Sequence, residues 1–291
     1  MKIATPARTR AILNQYQLRA KKKLGQNFLI SERVTSAIVR AIDLQSDDVV
    51  VEIGPGIGSL TEELLQKAGQ VVAIELDREL IPVLQDLFRD YSNLKLVNQD
   101  VLKVNLDQLV QEQTGATRYK LAANLPYYIT TPILMHLLEN RYRISEMALM
   151  VQKEVAERIC AQPGGKEYGA ITVAVQYYCQ ARIFVQVPAT SFIPTPEVES
   201  AVIHLKKHNQ PPVDPGDERI FFRVVKAAFA QRRKTLLNTL SKAGFNLTRE
   251  EWLQLLKSCQ IEPGRRGETL SLEEFARISR ELSVNPALTG A

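Results

Sequence analysis

Short apolar runs alternate with amphipathic segments over the first two thirds of the chain. Five strand-like runs lie at 48–54, 71–75, 94–97, 119–124 and 146–151. Helical spacing covers the intervening segments 57–68 and 78–90, and continues at 152–161 after the last run. Short apolar runs of this kind are typical of buried parallel strands. The alternation predicts βαβ units and an α/β fold with a doubly wound, mostly parallel sheet.

The pattern changes in the last third of the chain. Two further strand candidates, 181–187 and 200–206, extend or edge the sheet, and residues 207–217 contain three Pro and one Gly and break the pattern, as in a linker. Helical spacing then follows at 218–231, 233–243, 248–258 and 271–282. We therefore predict three regions: an N-terminal arm at 1–23, an α/β domain at 24–207 and a small all-α domain at 218–291.

The net charge of the chain favours a polyanionic partner. The chain of 291 residues has a net charge of +5 and a pI near 9.0. Residues 1–23 contain no acidic residue, and their basic residues are Lys2, Arg8, Arg10, Arg19, Lys21, Lys22 and Lys23. A transit peptide is the alternative, but serines are few. We predict a basic arm that contacts phosphates.

Other features exclude several classes of protein. The three cysteines form no CxxC pair, which indicates a reducing compartment and argues against zinc. The three histidines show no ligand spacing, so no metal is expected. No apolar stretch is long enough to cross a bilayer, and the start has no secretory apolar region. We expect a cytoplasmic, monomeric protein without a membrane or metal partner.

A glycine-rich segment, 52–59, follows the first predicted strand. Glu75 lies 21 residues after Gly54, where a dinucleotide fold places its ribose-binding acid. A pyrophosphate disfavours nearby carboxylates, however, and here Glu52 and Asp100 also lie at strand ends. S-adenosylmethionine carries positive charge and no phosphate, so Glu75 can accept from its ribose and Asp100 from its adenine. Solvated strand ends are the alternative for each acid, and a dehydrogenase is the less favoured function.

A polar tetrad, Asn124-Leu125-Pro126-Tyr127, interrupts the fourth strand-like run. Pro126 fixes its own φ and biases Leu125 toward an extended conformation, so the tetrad is stiff. It offers an amide, backbone carbonyls and an aromatic face, which together suit a flat ring bearing an amino group. The alternative is a capped turn with Tyr127 packed on the core.

Five stretches together resemble the ribosomal small-subunit RNA adenine N6-dimethyltransferases. They are Leu24–Leu29 (LGQNFL), Glu52–Gly58, Asn124–Tyr127, Phe192–Ser200 (FIPTPEVES) and Ala228–Leu236 (AFAQRRKTL). The resemblance extends from about Lys21 to Arg280 and leaves residues 1–20 outside the common pattern. The glycine loop occurs in many methyltransferases, whereas GQNFL, FxPxP and QRRKTL are more particular.

The resemblance implies an enzyme with a Rossmann-like class I methyltransferase domain, S-adenosylmethionine as cofactor and a helical RNA-binding domain. It implies that Asn27 and Leu29 close over the cofactor, and that Gly54, Glu75, Asp100 and Asn124 complete the site. It further implies two methyl transfers to each of two adjacent adenosines in the 3′-terminal hairpin of 16S rRNA, within the 30S subunit or its precursor.

The tetrad then has a role in the chemistry. We predict that the Asn124 amide oxygen and the carbonyl of Leu125 or Pro126 each accept one N6–H of the target adenine. The target base must leave its stack to reach them. Tyr127 is expected to stack on one face of the base and Phe192 on the other, with burial as a core anchor the alternative for Phe192.

Two basic stretches are candidates for RNA phosphate contacts. They are Lys21, Lys22 and Lys23, and Arg232, Arg233 and Lys234. A solvated charged face is the alternative for both. Rival functions are adenine N6-methylation of DNA or another RNA, glutamine methylation, and a non-catalytic ribosome-assembly or transcription factor. The presence of Glu75, Asp100 and Asn124 favours an enzyme.

Overall fold

The computed structural model describes residues 2–284, and these form two compact units. The first contains the chain up to Ala156 together with Ala181–Lys207, and the second contains Glu157–Gln180 and the chain from His208 onward. These bounds differ from the predicted 24–207 and 218–291, since residues 157–180 belong to the second unit. The reason is packing: Tyr177 lies in an aromatic cluster with Phe221, at 5.1 Å between ring centroids.

The elements follow the predicted alternation. The strands are β1 (Phe28–Leu29), β2 (Val49–Ile53), β3 (Gln70–Glu75), β4 (Leu94–Asn98), β5 (Tyr119–Asn124), β6 (Ile144–Gln152), β7 (Cys179–Val187), β8 (Phe192–Ile193) and β9 (Ser200–Lys207). The helices are α1 (Pro6–Gln15), α2 (Glu32–Ala41), α3 (Thr61–Leu65), α4 (Leu80–Leu87), α5 (Leu106–Thr114), α6 (Thr130–Glu139), α7 (Lys153–Ile159), α8 (Ala170–Tyr178), α9 (Glu218–Phe229), α10 (Leu236–Leu240), α11 (Arg249–Ser258) and α12 (Leu272–Val284).

Seven of the strands form one sheet in the order β4-β3-β2-β5-β6-β9-β7. Strands β2 to β6 pair in parallel, and β9 is antiparallel to β6. The central strands are buried along almost their whole length, as expected for apolar runs in a parallel sheet. The predicted fold class is therefore confirmed. Strand order places the carboxyl ends of β2, β3, β4 and β5 side by side.

The N-terminal segment predicted as an arm at 1–23 is folded against the first unit, and its contact with phosphates stays a prediction. Helix α1 begins after Thr5, whose hydroxyl accepts from the Arg8 N–H, and Pro6 occupies its first turn. Ile12 is fully buried in the core of the first unit. Lys2 pairs with Glu63 at 2.6 Å. Apolar burial and ion pairing therefore hold this segment against the first unit.

The second unit is helical beyond residue 217. Asp217 caps α9 through the amides of Arg219 and Ile220, and Thr248 and Glu251 form a capping box at α11. The largest buried side chains there are Trp252, Phe221, Phe275, Tyr168 and Tyr177. Among residues 2–284, no helix is both long and apolar enough to span a membrane.

Candidate active site

A cleft opens at the carboxyl ends of the parallel strands, entirely within the first unit. Its volume is about 1070 Å³, including the space at its open mouth. Strand-end residues from β2, β3 and β5 line it, together with the turn after β4 and the loop before β1. This is the crevice in which open α/β sheets bind ligands. The cleft contains nine of the ten predicted cofactor and catalytic residues: Asn27, Leu29, Gly54, Glu75, Asp100, Asn124, Leu125, Pro126 and Tyr127.

The turn after β2 leaves room for a ligand. Gly54 and Gly56 have φ values of +68° and +60°, a region that other residues adopt only at a cost. A Cβ at Gly54 would meet no atom within 4 Å, so the backbone itself faces open space. The segment from Pro55 to Gly58 remains a turn, and α3 begins only at Thr61.

Glu75 is held in a fixed orientation at the end of β3. Its Oε2 accepts from the Gly56 amide at 3.1 Å, and its Oε1 accepts from the Asp77 amide at 2.8 Å. Burial raises its pKa, and the two amides act against that rise. Each carboxylate oxygen keeps capacity for a further donor, such as a ribose hydroxyl.

Glu52, at the cleft end of β2, is the most deeply buried acid of the site, at 1% exposed. Its Oε2 has no hydrogen-bond partner within the described part of the chain. Burial, followed by repulsion from Glu75, raises the pKa of this carboxyl to about 8. An orphaned buried acceptor beside an open cleft indicates a missing donor or cation.

The electrostatics of the cleft fit a cationic ligand without phosphate. Three carboxyl groups, those of Glu52, Glu75 and Asp100, lie along it, and no Lys, Arg or His is among the residues from 24 to 133 that line it. Asp100 also caps the turn after β4 by accepting from the Leu102 amide at 3.1 Å, so one of its oxygens is engaged locally. S-adenosylmethionine matches this set of acceptors, whereas a dinucleotide pyrophosphate does not.

The tetrad lies beside the acids, at the end of β5. The Asn124 side-chain nitrogen donates to the Asn27 carbonyl at 3.2 Å, which fixes the amide and turns its oxygen into the available acceptor. The Pro126 carbonyl already accepts from the Ile129 amide and the Thr130 hydroxyl. The Leu125 carbonyl has no donor within residues 2–284, so of the two predicted carbonyls Leu125 is the better second acceptor.

Two adjacent tyrosines differ in their surroundings. Tyr127 is half-buried, and its hydroxyl shares a hydrogen bond of 2.6 Å with Ser200, a contact that fixes the ring. Tyr128 is 56% exposed at the cleft mouth and packs against Gly25. A Cβ at Gly25 would approach the Tyr128 ring to 3.1 Å, so glycine allows this contact.

Phe192 does not reach the cleft, and its predicted stacking on the target base is therefore corrected. The side chain is 1% exposed and lies in the apolar core, while its backbone pairs with Leu29 between β8 and β1. The alternative assignment, a core anchor, describes its position. Its burial follows from the pairing of β1 with β8, which connects distant parts of the sequence.

The loop before β1 contributes Asn27, as predicted, and also Gln26, to which the sequence assigned no role. The Asn27 side chain donates to the Gly25 carbonyl at 3.1 Å, and Gln26 lines the cleft. The Gln26 side chain also donates to Asp77 at 3.0 Å. Asp77 lies two residues after Glu75, and only that proximity could have singled it out in the sequence.

The predicted phosphate contacts divide into two groups. Lys21 pairs with Asp77 and Glu79, both at 2.8 Å, so its ammonium is engaged in an internal ion pair and its contact with RNA stays a prediction. Lys22, Lys23, Arg233 and Lys234 are exposed. Arg232 is exposed too, although one of its guanidinium nitrogens donates to the Lys166 and Tyr168 carbonyls. Within residues 2–284, no three His, Cys, Asp or Glu side chains cluster as metal ligands.

Comparisons with known proteins match the chain along nearly its whole length. The pattern of the family described as Ribosomal RNA adenine dimethylase matches residues 17–283. A protein of Alkaliphilus metalliredigens named Ribosomal RNA small subunit methyltransferase A is 48% identical over 97% of this chain and 98% of its own. A protein of the same name from Moorella thermoacetica is 51% identical over 96% and 98%. The crystal structure of a dimethyladenosine transferase from Plasmodium falciparum, 24% identical, superposes with a TM-score of 0.73 over 88% of this chain and 98% of that one.

Proposed function

Because the chain belongs to the ribosomal RNA adenine dimethylase family, we propose that it dimethylates N6 of two adjacent adenosines in 16S rRNA. The target is the 3′-terminal hairpin of the RNA within the small ribosomal subunit or its precursor. S-adenosylmethionine is the methyl donor. The names of the 48–51% identical relatives support a small-subunit substrate.

The acids of the cleft hold the cofactor in this proposal. Glu75 accepts from the ribose hydroxyls, Asp100 from the adenine amine, and Gly54 lets the cofactor approach the backbone. Asn27, in the loop before β1, and Leu29, in β1, line the same cleft and cover the cofactor. When bound, S-adenosylmethionine supplies a methyl group that is already activated by its sulfonium.

The tetrad orients the attacking nitrogen. The lone pair of the adenine N6 is delocalised into the ring, so the nitrogen is a weak nucleophile. The Asn124 amide oxygen and the Leu125 carbonyl each accept one N6–H, which favours a pyramidal nitrogen whose lone pair faces the methyl group. Alignment of this kind contributes several kcal/mol, on the order of what proximity supplies in other enzymes. The proton leaves to water after transfer, so no dedicated base is required.

Aromatic and basic groups position the RNA. Tyr127 stacks on the flipped base, and base–aromatic stacking contributes about 1–3 kcal/mol. Tyr128, exposed at the mouth of the cleft, takes the second stacking role that Phe192 cannot fill. Exposed basic residues contact the phosphates: Lys22, Lys23, Arg232, Arg233 and Lys234.

One observation carries the proposal: the Asn124 amide is fixed by Asn27 so that its oxygen is the available acceptor, next to three cleft acids. In the test, the protein is incubated with labelled S-adenosylmethionine and either undermethylated 30S subunits, free rRNA or DNA. Each nucleic acid is then digested to nucleosides. We expect N6,N6-dimethyladenosine with 30S subunits. Label in DNA, in another RNA alone or in no nucleic acid would support a rival function.

The Asn124→Ala variant tests the assignment of the acceptor. Loss of one such polar group typically lowers turnover by about 10²–10³. Cofactor affinity should change far less than turnover. A variant with nearly full activity and unchanged cofactor affinity would refute the role of the amide oxygen.

A further inference from the structure

Asp77 is a buried carboxylate that the proposed chemistry does not use. Its side chain is 6% exposed. It accepts from the Lys21 ammonium at 2.8 Å, from the Gln26 amide at 3.0 Å and from the Glu79 backbone at 3.2 Å. Burial alone would raise its pKa, but the hydrogen bonds from Lys21 and Gln26 lower it. Asp77 is therefore an ionised anchor with three donors.

Both side-chain donors to Asp77 come from one short segment, residues 21–27, which we term the strap. The Gln26 side-chain oxygen accepts from the Lys21 amide at 2.9 Å, so Gln26 bridges Lys21 and Asp77. The Lys21 carbonyl accepts from the Leu24 amide at 2.9 Å, and the Lys22 carbonyl from the Gly25 amide at 3.0 Å. The strap is thus closed on itself and anchored at Asp77 by charge-assisted bonds, the stronger class of hydrogen bond.

The strap connects the two halves of the cleft. At one end it reaches Asp77, whose amide donates to the Glu75 carboxylate. At the other end the Asn27 carbonyl accepts from the Asn124 side chain. Residues 24–27 between these ends line the cleft. Hydrogen bonds and the strap backbone together therefore connect Glu75, the acid assigned to the ribose, with Asn124, the amide assigned to the target base.

We propose that Asp77 is a positioning residue that holds the strap closed over the cofactor through Lys21 and Gln26, and thereby orients Asn124. The inference rests on the proposed use of S-adenosylmethionine. In this proposal the strength of the Asp77 anchor sets how firmly the strap holds the cofactor, and the charge on Lys21 serves this anchor.

The test measures binding of S-adenosylhomocysteine to the full chain by calorimetry, together with hydrogen exchange of residues 19–29. The variants are Asp77→Asn, Lys21→Met and the double variant. We expect each single variant to weaken binding about tenfold, because the closed strap is the competent state and its population falls. Exchange should accelerate at 21–27 and remain unchanged in β2 and β3. The double variant should lose less affinity than the sum of the two single losses, since both substitutions remove the Lys21–Asp77 pair.

Asp90→Asn is the matched control, because Asp90 is exposed and lies outside the cleft. It should bind and exchange like the wild type. If Asp77→Asn fails to fold, Lys21→Met decides the matter, since Lys21 is partly exposed. Wild-type binding and exchange in both single variants would overturn the proposal. Steady-state methylation gives a second readout: loss of the anchor should raise the KM for the cofactor and, through Asn124, lower kcat, whereas a merely structural role would leave both unchanged in the folded variant. A wild-type chain that binds the probe without methylating rRNA would refute only the function.

Discussion

Replacing Glu52 with glutamine should stabilise the protein at alkaline pH. Glu52 is fully buried in the wall of the cleft, with one carboxyl oxygen unpaired within residues 2–284. Burial and the Glu75 charge raise its pKa from the usual 4.5 to about 8. The folded state therefore keeps a proton that the unfolded chain has lost. Glutamine is a neutral substitute of nearly the same shape.

The sign and the size of this stability difference follow from the linkage between proton binding and folding. Between pH 4.5 and about 8 the folded protein binds more protons at this site than the unfolded chain, so rising pH removes stability. At about 1.36 kcal/mol per pH unit, this interval corresponds to an upper limit of about 5 kcal/mol. Near pH 4.5 the variant and the wild type should have the same free energy of unfolding. The variant should become progressively more stable than the wild type up to pH 8, and the difference should stay constant above that pH.

The assay is urea unfolding followed by far-ultraviolet circular dichroism at several pH values between 5 and 9, for wild type and variant. The difference between the two free energies of unfolding removes the contribution of the other titrating groups. Glu139→Gln, which changes an exposed carboxyl of α6, is the matched control and should show no such trend. A difference between wild type and Glu52→Gln that does not vary with pH would refute the reasoning, as would a variant that is less stable at pH 9.

Three further predictions concern substrate and core. An oligonucleotide carrying N6,N6-dimethyladenosine should bind more weakly than the unmodified one in a fluorescence titration, because the product has no N6–H for Asn124 and Leu125; equal affinity would contradict the two-acceptor model. Phe192→Leu should lower the free energy of unfolding by about 1 kcal/mol and leave turnover largely unchanged, because the ring is buried in the core. Slow turnover in a variant of normal stability would instead support the stacking role. RNA affinity should fall about 10²-fold or more between roughly 50 and 200 mM salt. In the Arg233→Ala/Lys234→Ala variant, the slope of log affinity against log salt concentration should be smaller by about 2. An unchanged slope would exclude these phosphate contacts.

Local patterns predicted the sheet well. The strand predicted at 119–124 was found as Tyr119–Asn124, and the first helix of the C-terminal region, predicted at 218–231, was found as Glu218–Phe229. Prediction was poorer where glycine overrides periodicity. Residues 57–68 have helical spacing, but Gly58 has a φ of +92° and the helix is confined to Thr61–Leu65.

The sequence did not predict contacts between residues that are far apart along the chain. Lys21 and Asp77 are 56 residues apart, and no local pattern shows that the lysine meets an acid and not a phosphate. Helix α1 was missed because basic residues interrupt its apolar positions, although Ile12 is fully buried. Strand-end chemistry was more predictable, since a parallel sheet brings successive strand ends to one edge.

The distribution of charge separates recognition of the cofactor from recognition of RNA. Acids line the cleft between residues 24 and 133 without any basic side chain, although the whole chain carries +5. Glu75 is buried, so its attraction for a cation is screened by salt much less than that of exposed pairs. The exposed basic residues meet a polyanion whose binding releases counterions. Added salt should therefore weaken RNA binding steeply and cofactor binding little, and a parallel loss of both affinities would mean that one set of charges serves both ligands.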